Sequence, residues 1–193
     1  IIFNGNGYSD EWVAEAEKRG LPNFRSTVDC VPHYADAKNV ALLQKFGVLS
    51  EKEIKARMEV LLENYAKTIN IEALTMIDMT KKKYIPTCIA YTKELCDAAA
   101  VKQSLDICSC VEKELAEKVS SLTKAAYEAT EKLETAVAAA AAKDDCVLSM
   151  AKSYREDVIP VMDDLRAAVD ALEVITPSEK WPVPAYSDII FNV

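Results

Sequence analysis

The stretch that decides the fold reads NYAKTINIEALTMIDMTKKKYIP and runs from Asn64 to Pro86. Through it and just before it, apolar residues recur at steps of three and four, which places them along one side of a 3.6-residue helix. These residues are Ile54, Met58, Leu61, Tyr65, Ile69, Ala73 and Met76. Further apolar side chains fall on the other sides, and a helix that is apolar nearly all round is expected inside a bundle of helices.

The beginning of this helix and a bend within it are also predicted. Ser50 and Glu53 form a capping box, in which the hydroxyl and the carboxylate each accept an otherwise unpaired backbone N–H. Pro86 has no N–H and crowds the carbonyl of Lys82, which kinks or interrupts a helix. Because apolar residues keep the same spacing as far as Leu95, we expect a kink.

Two further long helices follow. In the first, apolar residues recur at steps of three and four from Cys108 to Ala140 with no internal Gly or Pro, a pattern typical of a bundle seam. In the second, similar spacing runs from Val147 to Leu172, with a second kink expected at Pro160. Short connections join antiparallel neighbours. The predicted fold is therefore all-α, an up-down-up bundle of three long helices.

Two short helices are expected before this bundle and an extended tail after it. The second short helix is predicted to be capped by Asp29, although Pro32 could equally lie in its first turn. We expect residues 1–8 to be a linker with a strand remnant, residues 9–176 to form the helical bundle domain, and residues 177–193 to form the extended tail.

The tail contains the candidate interface residues of this chain. Trp181, Tyr186 and Phe191 are large apolar side chains on a segment whose prolines prevent it from forming a core of its own. Leaving them in water would forfeit roughly 1.5–3 kcal/mol each. We therefore predict that they are packing or interface residues, docked on their own bundle or on a neighbouring subunit. The end of the tail, from Asp188 to Phe191, is predicted to be strand-like.

The charge balance disfavours two classes of partner. Lys and Arg number 23 against 31 Asp and Glu, a formal net charge of −8, which repels nucleic-acid phosphates and anionic lipid headgroups. No apolar run reaches the roughly 18 residues that span a bilayer, and no signal-peptide pattern is found. We expect no nucleic-acid role, no membrane role and a cytoplasmic location.

Candidate catalytic residues are scarce. The sequence has no glycine-rich phosphate loop and no Ser/His/Asp set, and its one histidine, His33, is interpreted as a surface or capping residue. Glu72 and Asp78 lie in the apolar centre of the long helix, where a structural ion pair or hydrogen bond is favoured over a reactive site. Asn70 is interpreted as a polar group that fixes the register of the bundle. No catalytic or cofactor-binding residue is assigned.

The six cysteines are interpreted as reduced thiols that act as small apolar fillers. Cys108 and Cys110 are two residues apart, which would point them to different faces of a helix and away from one shared metal ion. The sequence therefore predicts no metal site.

Four long sequence segments occur in order along the chain: NGNGYSDEW (4–12), EAEKRGLPN (15–23), ENYAKTINIEALTMIDM (63–79) and WPVPAYSDIIF (181–191). In these segments the chain resembles the C-terminal region of type III glutamine synthetases, and the resemblance extends over nearly its whole length. The resemblance implies a parent enzyme that joins ammonia to glutamate with ATP and Mg or Mn. It also implies a preceding catalytic domain and sister subunits as partners. The catalytic motifs have no match here, so no site residue is carried over.

Two functions stay open at this point. The first, which the resemblance implies, is a non-catalytic helical domain that has a structural or oligomer-supporting role in glutamine synthetase. The second is an autonomous helical interaction module, which would hold a partner in a groove lined by the Met-rich centre of the long helix.

Overall fold

The computed structural model describes residues 3–143 and 146–191, and every regular element within those ranges is helical. The all-α class is confirmed. The α-helices are α1 (Asp10–Lys18), α2 (Thr27–Cys30), α3 (Ala37–Lys45), α4 (Glu51–Met79), α5 (Ile85–Ser104), α6 (Cys110–Ala141), α7 (Val147–Ser153), α8 (Ile159–Ile175) and α9 (Tyr186–Phe191). None of the helices in the described ranges is both long and apolar enough to cross a membrane.

The helices group into two compact units, unit 1 (Ile1–Tyr65) and unit 2 (Ala66–Val193). Residues of α4 belong to both units. The boundaries predicted after residues 8 and 176 stay predictions.

In unit 1, the second short helix differs from its prediction. It is divided into α2, a 3-10 turn (Val31–Ala35) and α3. Ser26 caps α2 by accepting the Asp29 N–H at 3.2 Å, so the predicted cap at Asp29 is wrong. The division has two local causes: Pro32 cannot donate a backbone hydrogen bond, and Asp36 has an extended ψ of 138° that ends the turn before α3.

The long helix begins as predicted. The Ser50 N–H donates to Glu53 Oε2 at 2.8 Å, and the Glu53 N–H donates to Ser50 Oγ at 3.3 Å, which completes the capping box. The hydrogen bonds from Ser50 lower the pKa of the Glu53 carboxyl.

Both predicted proline sites lie in helices that continue without a break. Five residues with π-helical geometry, Thr80–Tyr84, join α4 to α5 directly before the Ile85-Pro86 pair. The same arrangement recurs where Tyr154–Val158 joins α7 to α8 before Pro160. The wider π-helical turn is the expected response to the proline ring, which would otherwise clash with the carbonyl four residues earlier. The prolines therefore change the local winding and do not end the helices.

The directions of the long helices in unit 2 follow from their side-chain pairs. Lys81 pairs with Glu134, and Lys102 pairs with Glu112. The partner's number falls as the residue number rises, so the segment from Lys81 through α5 runs antiparallel to α6. The hydroxyl of Tyr154 donates to Asn70 Oδ1 at 3.1 Å. The pair joins α4 to the first residue of the π turn between α7 and α8.

Large aliphatic side chains and alanines fill the core of unit 2. Its fully buried side chains include Val119, Leu133, Val158, Leu165 and Leu172, and the buried side of α6 is rich in alanine: Ala116, Ala126, Ala129 and Ala140. Small side chains allow neighbouring helices to approach closely. The expectation that α4 is covered nearly all round is wrong, because Ile71 is 64% exposed and Leu74 is exposed as well.

We predict that Tyr154→Phe lowers the free energy of unfolding by about 0.5–1.5 kcal/mol, because it removes the hydrogen bond to Asn70 and keeps the buried ring. Urea denaturation measures this change. Tyr127→Phe is the matched control, since the Tyr127 hydroxyl bonds Glu131 on the exposed side of α6. Equal effects of the two substitutions would contradict a specific role for the Asn70–Tyr154 pair.

Candidate interface

Trp181 packs the tail against the rest of unit 2. After α8, backbone bonds from Lys180 and Trp181 to the carbonyl of Pro177 form a turn. The turn places the Trp181 ring on Tyr84, with ring centroids 5.0 Å apart and planes inclined by 16°. Trp181 is only 6% exposed, and its Nε1 has no hydrogen-bond partner among the described residues. Burial, followed by the nearby acidic side chains, raises the pKa of the Tyr84 hydroxyl.

An ion pair lies beside this stack. Lys180 Nζ contacts both carboxylate oxygens of Glu94, at 2.7 and 2.6 Å. Both side chains are partly exposed, so the pair contributes little to stability and mainly restricts the position of the tail.

Tyr186 begins α9 and makes polar contacts with α8. Its hydroxyl accepts a hydrogen bond from Arg166 Nη2 at 2.9 Å and faces Asp170 Oδ1 at 3.4 Å. Its backbone N–H donates to Glu173 Oε1 at 3.0 Å. Tyr186 is 47% exposed, so it is anchored at its hydroxyl while about half of its surface stays open to solvent.

The end of the tail differs from its prediction. Asp188 to Phe191 was expected to be strand-like, whereas Tyr186–Phe191 is helical. The Ala185 N–H donates to Asp188 Oδ2 at 2.9 Å, the contact by which an acidic residue in the first turn stabilises a helix start. The signal in the sequence was the acidic residue three positions after Ala185. The side chain of Phe191 lies outside the described residues.

A groove of about 690 Å³ lies within unit 1. It is mainly apolar, with the charged Glu53 and Arg57 among its lining residues, and the remaining lining residues are Tyr34, Leu43, Leu49, Ile54, Ala56, Val60 and Leu61. No methionine is among them, so the groove is not formed by the Met-rich centre of the long helix. Leu61 and Val60 are partly open to solvent.

The polar residues singled out in the sequence make local contacts. Asp78 pairs with Lys82 one turn along the helix, and Glu72 is exposed. His33 Nδ1 lies 3.0 Å from Asp36 Oδ2, and its ring stacks on Phe24 with centroids 4.3 Å apart. Within residues 3–143 and 146–191, no group of three or more His, Cys, Asp or Glu side chains is placed to hold a metal ion.

The cysteines differ most from their prediction. Cys88 is buried, but the other five are exposed and do not fill the core. Cys108 precedes α6 and Cys110 is its first residue, so the helix-face argument does not apply to the pair. Their Sγ atoms lie 3.0 Å apart. Spacing in a helix could not predict this contact, because the connecting turn brings the two thiols together.

We predict that thiol titration of the denatured protein, purified under reducing conditions, finds all six cysteines and that elemental analysis finds no stoichiometric zinc. The physical reason is that the described structure gathers no metal-binding set of side chains. One zinc ion per chain would contradict this prediction.

The regular elements of the described residues are helices only, and Trp181 and Tyr186 of the tail contact other residues of unit 2. The chain belongs to the glutamine synthetase C-terminal domain family, whose sequence profile matches residues 1–103. The resemblance found in the sequence is thereby confirmed.

Three relatives align with nearly the whole chain. It is 36% identical to a glutamine synthetase of Butyrivibrio fibrisolvens, covering 100% of this chain and 28% of the relative. It is 33% identical to the type-3 glutamine synthetase of Dictyostelium discoideum, covering 99% of this chain and 27% of the relative. It is 29% identical to a glutamine synthetase of Bacteroides fragilis (strain YCH46), covering 100% of this chain and 27% of the relative. The chain thus spans little more than a quarter of the length of these relatives.

Proposed function

We propose that this chain is the non-catalytic C-terminal helical domain of a glutamine synthetase that takes part in nitrogen assimilation. The parent enzyme would join ammonia to glutamate at the expense of ATP. Mg or Mn and the nucleotide would bind in a catalytic domain outside this chain, and the enzyme would act in the cytoplasm.

One observation carries this proposal. A chain that aligns from end to end with relatives named glutamine synthetase, yet covers only 27–28% of their length, has the proportions of one domain within them. The family match over residues 1–103 supports its assignment to the C-terminal domain.

We further propose that the domain supports the oligomer by contacting the catalytic domain or sister subunits. The apolar groove of unit 1 favours such a role, because partly exposed aliphatic side chains gain free energy when a partner covers them. Trp181, Tyr186 and Phe191 are proposed to support this role from the tail. The first two would do so by holding the tail against unit 2.

The experiment is a substitution in the groove of the longer enzyme, read by native mass spectrometry. Leu61→Glu places a charge among apolar lining residues and should dissociate the oligomer into smaller species. Val174→Glu is the matched control, because Val174 lies in α8 of unit 2 and is 86% exposed. An unchanged oligomer mass with Leu61→Glu would contradict the oligomer-supporting role.

The same groove also favours the second candidate, an autonomous helical interaction module that binds an apolar helix of another protein. The coding sequence upstream of Ile1 separates the two functions. A long catalytic region there supports the glutamine synthetase domain, and a start codon close to Ile1 supports the module.

A further inference from the structure

Two cysteine thiols lie together at the turn between α5 and α6. Cys108 and Cys110 are both exposed, and their Sγ atoms are 3.0 Å apart. The backbone turns sharply before them, since Asp106 has a positive φ of 56°, and Ser109 between them is buried with φ −120° and ψ 28°. The pair is therefore positioned by a turn whose central residue is packed, while both cysteines are exposed to solvent.

The surroundings make the two thiols chemically unequal. The hydrogen bond between the two thiols, followed by the one from the Cys110 backbone N–H, lowers the pKa of Cys108. The Lys102 ammonium also lowers it, while Glu112 opposes this effect. The hydrogen bond to Cys108 raises the pKa of Cys110, and the nearby Lys113 opposes that rise. The lowered pKa favours Cys108 as the attacking thiol and Cys110 as the second thiol of the pair.

We propose that Cys108 and Cys110 form an oxidative modification site, at which hydrogen peroxide converts the two thiols into a reversible intrachain disulfide. The geometry carries this inference, because the two sulfur atoms are 3.0 Å apart, about 1 Å longer than a disulfide bond. The inference is independent of the proposed function of the domain.

The reaction has two balanced steps. The Cys108 thiolate attacks one peroxide oxygen, the O–O bond breaks, and the departing hydroxide takes a proton to become water, which leaves a sulfenic acid on Cys108. Cys110 then loses its proton, and its thiolate attacks the Cys108 sulfur and displaces the sulfenic oxygen as hydroxide, which takes up a proton to become a second water. Two thiols lose two electrons and the peroxide gains them.

Peptide mapping of the purified chain tests the proposal directly. Trypsin cleaves after Lys102 and Lys113 and releases QSLDICSCVEK, residues 103–113, which contains both cysteines of the pair and no other. The exposed Cys30, Cys96 and Cys146 fall in separate tryptic peptides and serve as comparisons within the same sample. The reduced protein is treated with equimolar hydrogen peroxide, alkylated with iodoacetamide and digested.

We expect peptide 103–113 to lose alkylation at both cysteines, to lose the mass of two hydrogen atoms, and to regain alkylation after dithiothreitol. The comparison peptides should stay alkylated at the same peroxide dose. Peptide 103–113 alkylated as fully as the comparison peptides, a sulfinic acid within it, or disulfide-linked dimers in place of the intrachain bond would overturn the proposal.

Two variants test the separate roles of the thiols. Cys110→Ser removes the second thiol, so Cys108 should stop as a sulfenic acid that dimedone traps. Cys108→Ser should lose both the disulfide and most of the dimedone adduct in peptide 103–113. Cys96→Ser is the matched control and should form the disulfide like the parent sequence. Equal dimedone labelling of the two pair variants would contradict the assignment of Cys108 as the attacking thiol.

Discussion

Trp181→Ala is expected to lower the free energy of unfolding by roughly 3–5 kcal/mol, the usual loss when a buried tryptophan is truncated. Trp181 is 6% exposed and stacks on Tyr84 of the long helix, so alanine would leave a cavity where the tail meets unit 2. For a domain of this size the melting temperature falls by roughly 2–4 °C per kcal/mol. We therefore predict a fall of about 6–20 °C in a calorimetric scan.

Two controls separate the aromatic stack from other effects. Trp181→Phe keeps a ring against Tyr84 and removes an Nε1–H for which the described residues supply no acceptor, so the loss should be well below that of alanine. Ile190→Ala changes a tail side chain that is 68% exposed and should shift stability by no more than about 0.5 kcal/mol. A melting temperature for Trp181→Ala equal to that of Ile190→Ala would show that the tail is not held by this residue.

The polar contacts of the tail should contribute less to the free energy of unfolding than the stack of Trp181 on Tyr84. Lys180 and Glu94 form an exposed pair, and such pairs contribute about 0–1 kcal/mol. Tyr186 is anchored through its hydroxyl and is 47% exposed. The stability of the docked tail is therefore expected to come mainly from one buried aromatic side chain.

The sequence predicted those features that depend on local or periodic signals. The capping box of Ser50 and Glu53 marked the beginning of α4, and apolar spacing identified the three long helical segments. Both prolines were recognised as points where helical geometry must change. Their response as π-helical turns was not predicted, because it depends on how the flanking turns pack and not on the proline alone.

The features that the sequence analysis missed depend on contacts between short segments. The pair Cys108–Cys110 was assigned to a helix, yet the turn before α6 brings the two sulfur atoms together. The end of the tail looked strand-like because Ile189 and Ile190 are β-prone, whereas the Ala185–Asp188 contact starts a helix. The turn before α6 sets the positions of the two cysteines. In the tail, the hydrogen bond between Ala185 and Asp188 outweighs the β preference of Ile189 and Ile190.

The chain alone is expected to form no glutamine. ATP-dependent ligation requires groups that cradle the nucleotide phosphates and bind divalent cations. The sequence has four glycines and no glycine-rich phosphate loop. The proposed catalytic domain would have to supply these groups, so adding nucleotide and metal to the purified chain should not restore activity.

The non-catalytic role is tested most directly by a colorimetric glutamine synthetase assay on the purified chain, with glutamate, ammonia, ATP and excess Mg²⁺, beside the proposed longer enzyme at equal molar concentration. We expect activity from the proposed longer enzyme and background signal from the chain, which must first show the helical circular dichroism spectrum of the folded protein. Glutamine formed by the chain itself, in proportion to its concentration and free of contaminating enzyme, would contradict the claim that it is a non-catalytic domain.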